Sequence, residues 1–445
     1  MKVLTAIVLS VIGVFCLPQA AHPAPRTWTD ETGVFSVEAE LVGVRGAYVQ
    51  LKKTDGRVVR VPMARLSLAD REYVRSQRAG DSGTASGAEK PQRTSDAAVR
   101  AAMGQVVAFE FANATLRDVL AYLGDELPVG VVADRRTLKK TGISMTAALS
   151  GRNESAQLGT ALDRLLQPAG LSWTARHEVL WITTREAVES ETEPRVYKLR
   201  KRLEYDRLVR DLTQNIAPQS WADVGGPASV GPVPPAALIV AQSRPAHEKI
   251  RQHYADLLEP IAAPPAAFPA SFARRAPVER IGRPTTAEFI DTPLADVADY
   301  FAELHDVTID LDRTALESVG IAHDAPVTAK VKNVSLGAAL GIVTSQLGLA
   351  WTVDGDRVLV TTPEGAQKRL ILIAYPVRGL AAGRNPLLTL AHALRRTVAP
   401  ATWDPVGGPA TIRPGIRGTL DVRQTFAVQS RLAALFEALL RAQGR

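Results

Sequence analysis

The feature that most constrains this chain is that its body is written twice. Phe111, Leu116, Asp118, Val119 and Tyr122 reappear as Phe289, Leu294, Asp296, Val297 and Tyr300. Asp134-Arg135, Leu138 and Gly142-Ile143 return as Asp312-Arg313, Leu316 and Gly320-Ile321. Leu158, Leu162, Gly170-Leu171 and Trp173-Thr174 return as Leu336, Leu340, Gly348-Leu349 and Trp351-Thr352, and Tyr197 returns as Tyr375, always at one separation. After a slightly longer spacing, Trp221 with Val224-Gly225-Gly226-Pro227-Ala228 matches Trp403 with Val406-Gly407-Gly408-Pro409-Ala410. Register kept over such a length predicts one duplicated folding unit.

Within each repeat the apolar spacing predicts two subunits. The first opens on a strand, Val106 to Phe111, and a helix from Leu116 that Asn113 or Thr115 caps. Leu116, Val119, Leu120 and Leu123 share one face of it. A short strand at Val129–Ala133 follows, then a helix bearing Leu158, Leu162, Leu165 and Leu166, then a hairpin of Leu171–Thr174 with Val179–Thr183. In the second repeat Asp354-Gly355 supplies the hairpin turn. The second subunit reads strand (Arg195–Leu199), helix (Tyr205–Ile216), strand (Leu238–Gln242), helix (Pro245–Leu258).

Ahead of the repeats lies a block of short β segments, Phe35–Ala39, Ala47–Leu51 and Val58–Val61, with Thr54-Asp55-Gly56 as a hairpin turn and Leu66–Asp70 opening a short helix. The predicted fold is α+β: a small SH3-like β-barrel followed by two tandem βαβ-rich α+β repeats. The boundaries are 1–24 for a signal peptide, 25–75 for the barrel and 76–104 for a Gly/Ser-rich flexible linker. The first repeat's subunits then run over 105–190 and 191–260. A stiff Pro/Ala spacer occupies 261–283, and the second repeat's subunits run over 284–366 and 367–445.

The first block and the repeats each resemble known families. Arg26-Thr27-Trp28-Thr29-Asp30, Gly33-Val34-Phe35, Val49-Gln50-Leu51-Lys52, Asp55-Gly56-Arg57 and Leu66-Ser67-Leu68-Ala69-Asp70 resemble the SLA-homology domain. That is an SH3-like module which binds short peptides in endocytic adaptors and also occurs in exported bacterial proteins. Thr115–Leu120 and Ala161–Leu166 resemble the short N-terminal domain of secretins and TonB-dependent receptors, and the subunit after it is similar to the secretin ring-building domain. No membrane β-barrel sequence follows the repeats, so the resemblance implies the packing module and not a pore.

Charge and cysteine content narrow the chemistry. The net charge of +7 is spread over 445 residues, with only short runs such as Arg200-Lys201-Arg202, which speaks against nucleic-acid binding. Met1-Lys2, the apolar Val3–Leu17 and the small-residue exit before Ala24 read as a secretory signal, with an uncleaved anchor as the alternative. No later segment reads as a transmembrane span. The lone Cys16 lies inside that leader, so the mature chain offers no disulfide, thiolate metal site or cysteine nucleophile.

The sharpest local signal is the pair Trp221, Gly225, Gly226, Pro227 and Trp403, Gly407, Gly408, Pro409. Paired glycines beside an indole can admit a peptide backbone or a sugar. The plainer alternative is a tight turn with Trp packed against it. Asp310-x-Asp312 could hold a cation, but Val132 stands at the first repeat's matching place, and helix capping suits Asp134 and Asp312 better. No His-Glu-x-x-His or Gly-x-Ser-x-Gly pattern occurs, and His247 and His253 fall on different faces of one helix. The expectation is an exported protein, periplasmic or extracytoplasmic, without enzymatic activity, metal or cofactor. It would act as a scaffold on other envelope proteins or short peptides, with self-association open to it. The alternatives are an accessory subunit of a secretin or TonB-linked transport machine, and an envelope hydrolase with a dispersed site.

Overall fold

The computed structural model describes the chain except residues 1–25, 30–35, 46–47, 54–57, 63–65, 68, 75–94, 202–203, 263–267, 275, 381, 384 and 445. The expected leader over 1–24, the expected turn at Thr54–Gly56 and most of the Gly/Ser tract lie outside the described residues. Among those described, no helix is long and apolar enough to cross a membrane. The fold is α+β, and the chain divides into two compact units, Met1–Ser86 and Gly87–Arg445.

The first unit is an antiparallel meander of β1 (Arg26–Thr29), β2 (Ser36–Arg45), β3 (Tyr48–Lys53) and β4 (Val58–Pro62), with α1 over residues 69–74. β1 was not anticipated, and among the described residues the sheet is open rather than a closed barrel. Trp28, Ala39, Val49, Leu51, Leu66 and Val74 form its core. The buried Asp70 carboxylate ties the ends of the unit together. It accepts from Arg26 Nη2 at 2.6 Å, Thr29 N at 2.7 Å and Ser67 Oγ at 2.9 Å, while the Arg26 guanidinium lies 4.0 Å over the Tyr73 ring.

The second unit opens with α2 (Asp96–Ala102), inside the stretch expected to be a linker. Ser95 caps this helix through the Ala98 N–H, and Val99, Ala102 and Met103 join the core behind it. Small residues with a Ser cap make a helix wherever an apolar stripe finds a partner. Next come β5 (Phe109–Thr115), α3 (Leu116–Glu126), β6 (Gly130–Ala133), α4 (Arg135–Lys140), β7 (Ala148–Asn153), α5 (Leu158–Leu166), β8 (Leu171–Arg176), β9 (Val179–Thr184) and α6 (Arg185–Ser190). Then follow β10 (Glu193–Leu199), α7 (Tyr205–Asn215), β11 (Ser229–Val233), β12 (Ala237–Gln242), α8 (Arg244–His253) and β13 (Leu258–Ile261). The sheets are β5-β7, β6-β9-β8 with β6 parallel to β9, and β11-β12-β10-β13.

The described part of the Pro/Ala stretch from Pro269 onward is not an extended spacer. It folds into α9 (Ala270–Ala273) and α10 (Ala276–Ile281), with Phe272, Val278 and Ile281 buried. Pro269 caps α9 and Pro277 sits in the first turn of α10, positions where a missing N–H is tolerated. The second half then runs β14 (Pro284–Pro293), α11 (Leu294–His305), β15 (Ile309–Leu311), α12 (Arg313–Ser318), β16 (Pro326–Ser335), α13 (Leu336–Leu347), β17 (Ala350–Asp354), β18 (Arg357–Thr361) and α14 (Pro363–Gln367). It ends with β19 (Leu370–Pro376), α15 (Pro386–Thr397), β20 (Thr411–Pro414), β21 (Thr419–Thr425) and α16 (Phe426–Ala442). Its sheets are β14-β16, β15-β18-β17 and β19-β21-β20, the order of the first half without a counterpart of β13.

The second half's helices form a middle layer. α15 packs on β11 and β12 while α16 packs on β10 and β13, so the first-half sheet is covered on both faces. The fit at β11 is close, because a Cβ on Gly231 would come within 2.8 Å of the Ala393 Cα, and Ser229 Oγ donates to the Arg396 carbonyl at 2.6 Å. β12 is accordingly buried at every position. β21, on the outside of the stack, alternates buried side chains with half-buried ones and the exposed Arg423.

Candidate functional site

The two Trp-Gly-Gly-Pro turns have the same geometry. Gly225 and Gly407 take φ of 88° and 85°, the left-handed region that glycine enters freely. A Cβ on Gly226 or Gly408 would run into the Ser220 or Thr402 carbonyl. The indoles are 3% and 1% exposed for Trp221 and Trp403, and their Nε1 atoms donate to the Ile216 and Val398 carbonyls at 2.6 and 2.8 Å. Neither indole is a ligand platform. Each plugs the base of its turn, and what faces solvent is Val224 and Pro227, or Val406 and Pro409.

The acidic candidates are also engaged in structure. Asp134 and Asp312 cap α4 and α12 through the Thr137 and Ala315 N–H groups and accept from Thr183 and Thr361 hydroxyls at 3.1 and 2.9 Å. Asp310 pairs with Arg357 at 2.7 Å, and Asp312 faces Arg369 at 3.5 Å, in an open cleft of about 540 Å³ on the outside of β15 and β18. At the cap of α3, Thr115 rather than Asn113 closes a reciprocal capping box with Asp118. Among the described residues no group of three His, Asp, Glu or Cys side chains could hold a metal ion.

His247 and Gln429 occupy matching positions and do the same work with different chemistry. The His247 Nε2 lies 2.8 Å from the Glu193 carbonyl, which can only accept, so Nε2 carries the proton. Nδ1 then accepts from the Tyr197 hydroxyl at 2.8 Å. Gln429 Nε2 donates to the Ile371 carbonyl at 2.7 Å and its Oε1 accepts from the Tyr375 hydroxyl at 3.0 Å. Burial, then the nearby Arg195, pushes the His247 imidazole down to about 3. His253, by contrast, is exposed on the same helix.

Three further perturbed groups, Asp96, His177 and Glu193, line a cleft of about 500 Å³ where the two halves meet. The tip of the β8–β9 hairpin enters it, with His177 and Glu178 both at positive φ, 54° and 60°. Glu178 accepts from the Ser335 N–H at 2.7 Å and the Ser335 hydroxyl at 2.9 Å, and its own N–H donates to Asp96 at 2.7 Å. Burial pushes the Asp96 carboxyl up. Burial also raises Glu193, but Arg195 and Arg100 outweigh it and hold that carboxyl at about 2. His177 is pushed down to about 3 by burial, then by Arg176 and Arg431. Its Nε2 accepts from Arg176 Nε at 3.2 Å, which occupies the lone pair a general base would need. Sequence reasoning singled out neither residue, because nothing local marks a hairpin tip as an interface.

The position matching Asp163 is Gly341, and this glycine makes room for the His177 ring. Arg244, which lies 4.1 Å over Trp173 and pairs with Asp163 at 2.7 Å, is replaced by Phe426, whose ring sits 5.5 Å from Trp351. The seam is therefore built for packing, with an ionic Arg–Asp–Trp cluster on one side and an aromatic one on the other.

Residues 18–81 match the family "SLA1 homology domain 1", so the N-terminal unit carries that domain. Over 49 residues, 11% of this chain, the sequence is 49% identical to "Actin cytoskeleton-regulatory complex protein sla1" of Schizosaccharomyces pombe. It is 41% identical, again over 49 residues, to the protein of that name in Sclerotinia sclerotiorum. The matched segment spans 4% of either relative's length. These relatives are named for an actin cytoskeleton-regulatory complex in fungi. That association overturns the expectation of an exported, periplasmic or extracytoplasmic product drawn from the first residues. Among solved structures, the GspC–GspD complex of the type II secretion system of enterotoxigenic Escherichia coli aligns with 37% of this chain and 100% of its own. The identity is 14% and the TM-score 0.13, too low to carry an argument.

Proposed function

We propose that this protein is a non-enzymatic adaptor or scaffold acting through protein–protein contacts. Its SLA1 homology domain would take a short peptide, and the body behind it would serve as a packed spacer built from one duplicated unit. The match over residues 18–81 carries this reading. It is supported by the employment of the acids and imidazoles that a hydrolase would need. Asp134 and Asp312 cap helices, Asp310 and Glu193 are held by arginines, and the ring nitrogens of His247 are taken up by Tyr197 and the Glu193 carbonyl.

The test is selection of a random peptide display library on the immobilised full chain. Enrichment of a peptide motif is expected, and its loss in the Arg26→Ala, Asp70→Ala double variant, which unties the first unit. Failure to enrich any motif, together with turnover of a peptide, ester or glycoside that Asp312→Ala abolishes, would overturn the proposal.

A further inference from the structure

The duplicated framework carries a cationic pocket in its first half that the second half does not repeat. In each half the loop after α4 or α12 is tied to the start of α3 or α11 by the same backbone bonds. The Leu116 and Arg117 N–H groups donate to the Ala147 and Met145 carbonyls, and those of Leu294 and Ala295 to Ala325 and His323. In the first half this loop, α3 and α4 enclose an open pocket of about 380 Å³. Arg117, Arg135 and Lys139 line it, with Leu138, Ile143 and Met145 as its apolar part. No carboxylate lines it, and none of the three cations has an ion-pair or hydrogen-bond partner for its side chain among the described residues.

The acids next to these cations are engaged elsewhere. Asp118 closes the α3 capping box, and Asp134 accepts from the Thr137 N–H and the Thr183 hydroxyl. Arg117 and Arg135 stand in the first turns of α3 and α4, where the helix dipole disfavours a cation, so helix stability accounts for neither. The second half shows that the fold does not need these charges. Ala295, Glu317 and Ala322 stand where Arg117, Lys139 and Ser144 stand, and of the three cations Arg135 alone is kept, as Arg313. The groove there sets Asp310 and Asp312 against Arg357 and Arg369 instead. Three cations gathered without a counter-charge repel one another, and an anion between them relieves that cost.

We infer that the pocket of Arg117, Arg135 and Lys139 binds a small phosphate monoester. Such a group carries close to two negative charges at neutral pH and offers three acceptor oxygens, enough to engage all three cations. The two guanidinium forks take its oxygens in pairs, and the Lys139 ammonium adds a point charge. A carboxylate brings a single charge and fills one fork. Leu138, Ile143 and Met145 meet the carbon part of the ligand, in a concavity sized for a small molecule rather than a flat lipid surface. The pocket belongs to the second unit, so its failure would leave the reading of the SLA1 homology domain standing.

Phenyl phosphate titrated into the full chain by isothermal calorimetry is the test. Saturable binding is expected, with benzoate about tenfold weaker or more because it brings one charge fewer. Lys139→Glu and Arg117→Ala place the second half's own residues at exposed positions. Each should weaken binding about tenfold or more, the scale of a lost charge-assisted hydrogen bond. Arg207→Ala, at an exposed cation of α7, should leave it unchanged. In the unaltered chain, phenyl phosphate should slow acetylation of Lys139 and not of Lys201, which reads the pocket without any variant. No saturable binding, benzoate binding as tightly, or equal binding in all three variants overturns the inference. So does capture by phosphatidylcholine vesicles carrying phosphatidic acid without binding of phenyl phosphate, because the cations would then serve a membrane surface.

Discussion

The outer faces of the β11-β12-β10-β13 and β19-β21-β20 sheets carry opposite chemistry on the same framework. Gly231, Ile239 and Ala241 in the first half stand where Arg413, Asp421 and Arg423 stand in the second. The inward positions hardly change, with Val230, Leu238, Val240 and Gln242 matching Ile412, Leu420, Val422 and Gln424, all buried. The neighbouring sheets follow suit. Val132 and Val179 on one give way to Asp310 and Arg357 on the other. One framework thus supports an internal layer and a solvent-facing one, and the outward residues alone decide which. Terminal repeats of stacked arrays need a polar outer face for the same reason.

The comparison can be broken by exchanging residues between matching positions. The largest effect is expected for Gly231→Arg, which would drive a charge into the α15 contact. Urea unfolding should show a loss of about 4 kcal/mol or more, from an unpaired buried charge and overpacking together. The reverse exchange, Arg413→Gly, should stay within about 1 kcal/mol. Next comes Gly341→Ala at the seam, where the added Cβ meets the His177 ring. A loss of about 1–3 kcal/mol is expected by the same measurement. The matching first-half change, Asp163→Ala, should instead act through Arg244, leaving that guanidinium buried with one partner fewer.

The third test sharpens the pairing of His247 with Gln429. A histidine held at about 3 when folded and near 6.5 when unfolded takes up its proton first in the unfolded chain. Its contribution is therefore complete above about pH 6.5 and is lost as pH falls toward 3, by roughly 1.4 kcal/mol per pH unit. His177, at about 3, and His305, at about 4, add to the same acid sensitivity. His247→Gln should leave neutral stability nearly unchanged and recover about 1–2 kcal/mol near pH 5, measured by urea midpoints at both values. The smallest effect is expected for Arg357→Ala in the exposed Asp310–Arg357–Asp354 cluster. A change of at most about 1 kcal/mol, shrinking further in high salt, would place that cluster on the solvent side.

Much of this fold was legible in the sequence because long apolar periodicities mark it. The helices beginning at Leu116 and Tyr205, the Leu158–Leu166 stripe and the β8–β9 hairpin all stand close to where spacing placed them. The capping roles of Asp134 and Asp312 also followed from residue type. What escaped was short or conditional. β13 is four residues with a proline, and β1 is four residues whose one deeply buried side chain is Trp28. α9 and α10 were masked by prolines that read as an extended spacer until Phe272, Val278 and Ile281 found a core. The contrast between the unbroken Ala237–Gln242 run and the alternating Thr419–Thr425 was present in the sequence. It acquires meaning only once α15 and α16 are seen between the sheets. The seam contacts of His177 and Glu178 had no local signature, since a hairpin tip acquires its role from what it meets.

The layer assignment is tested most directly by thiol labelling at one matched pair of positions, Ala241→Cys and Arg423→Cys, with the Cys16 background subtracted. Arg423→Cys should react at the rate of an open surface thiol, and Ala241→Cys only as fast as the second unit unfolds. Equal, rapid labelling at both positions would mean that the first sheet has no helical cover, and the contrast between the halves would fall.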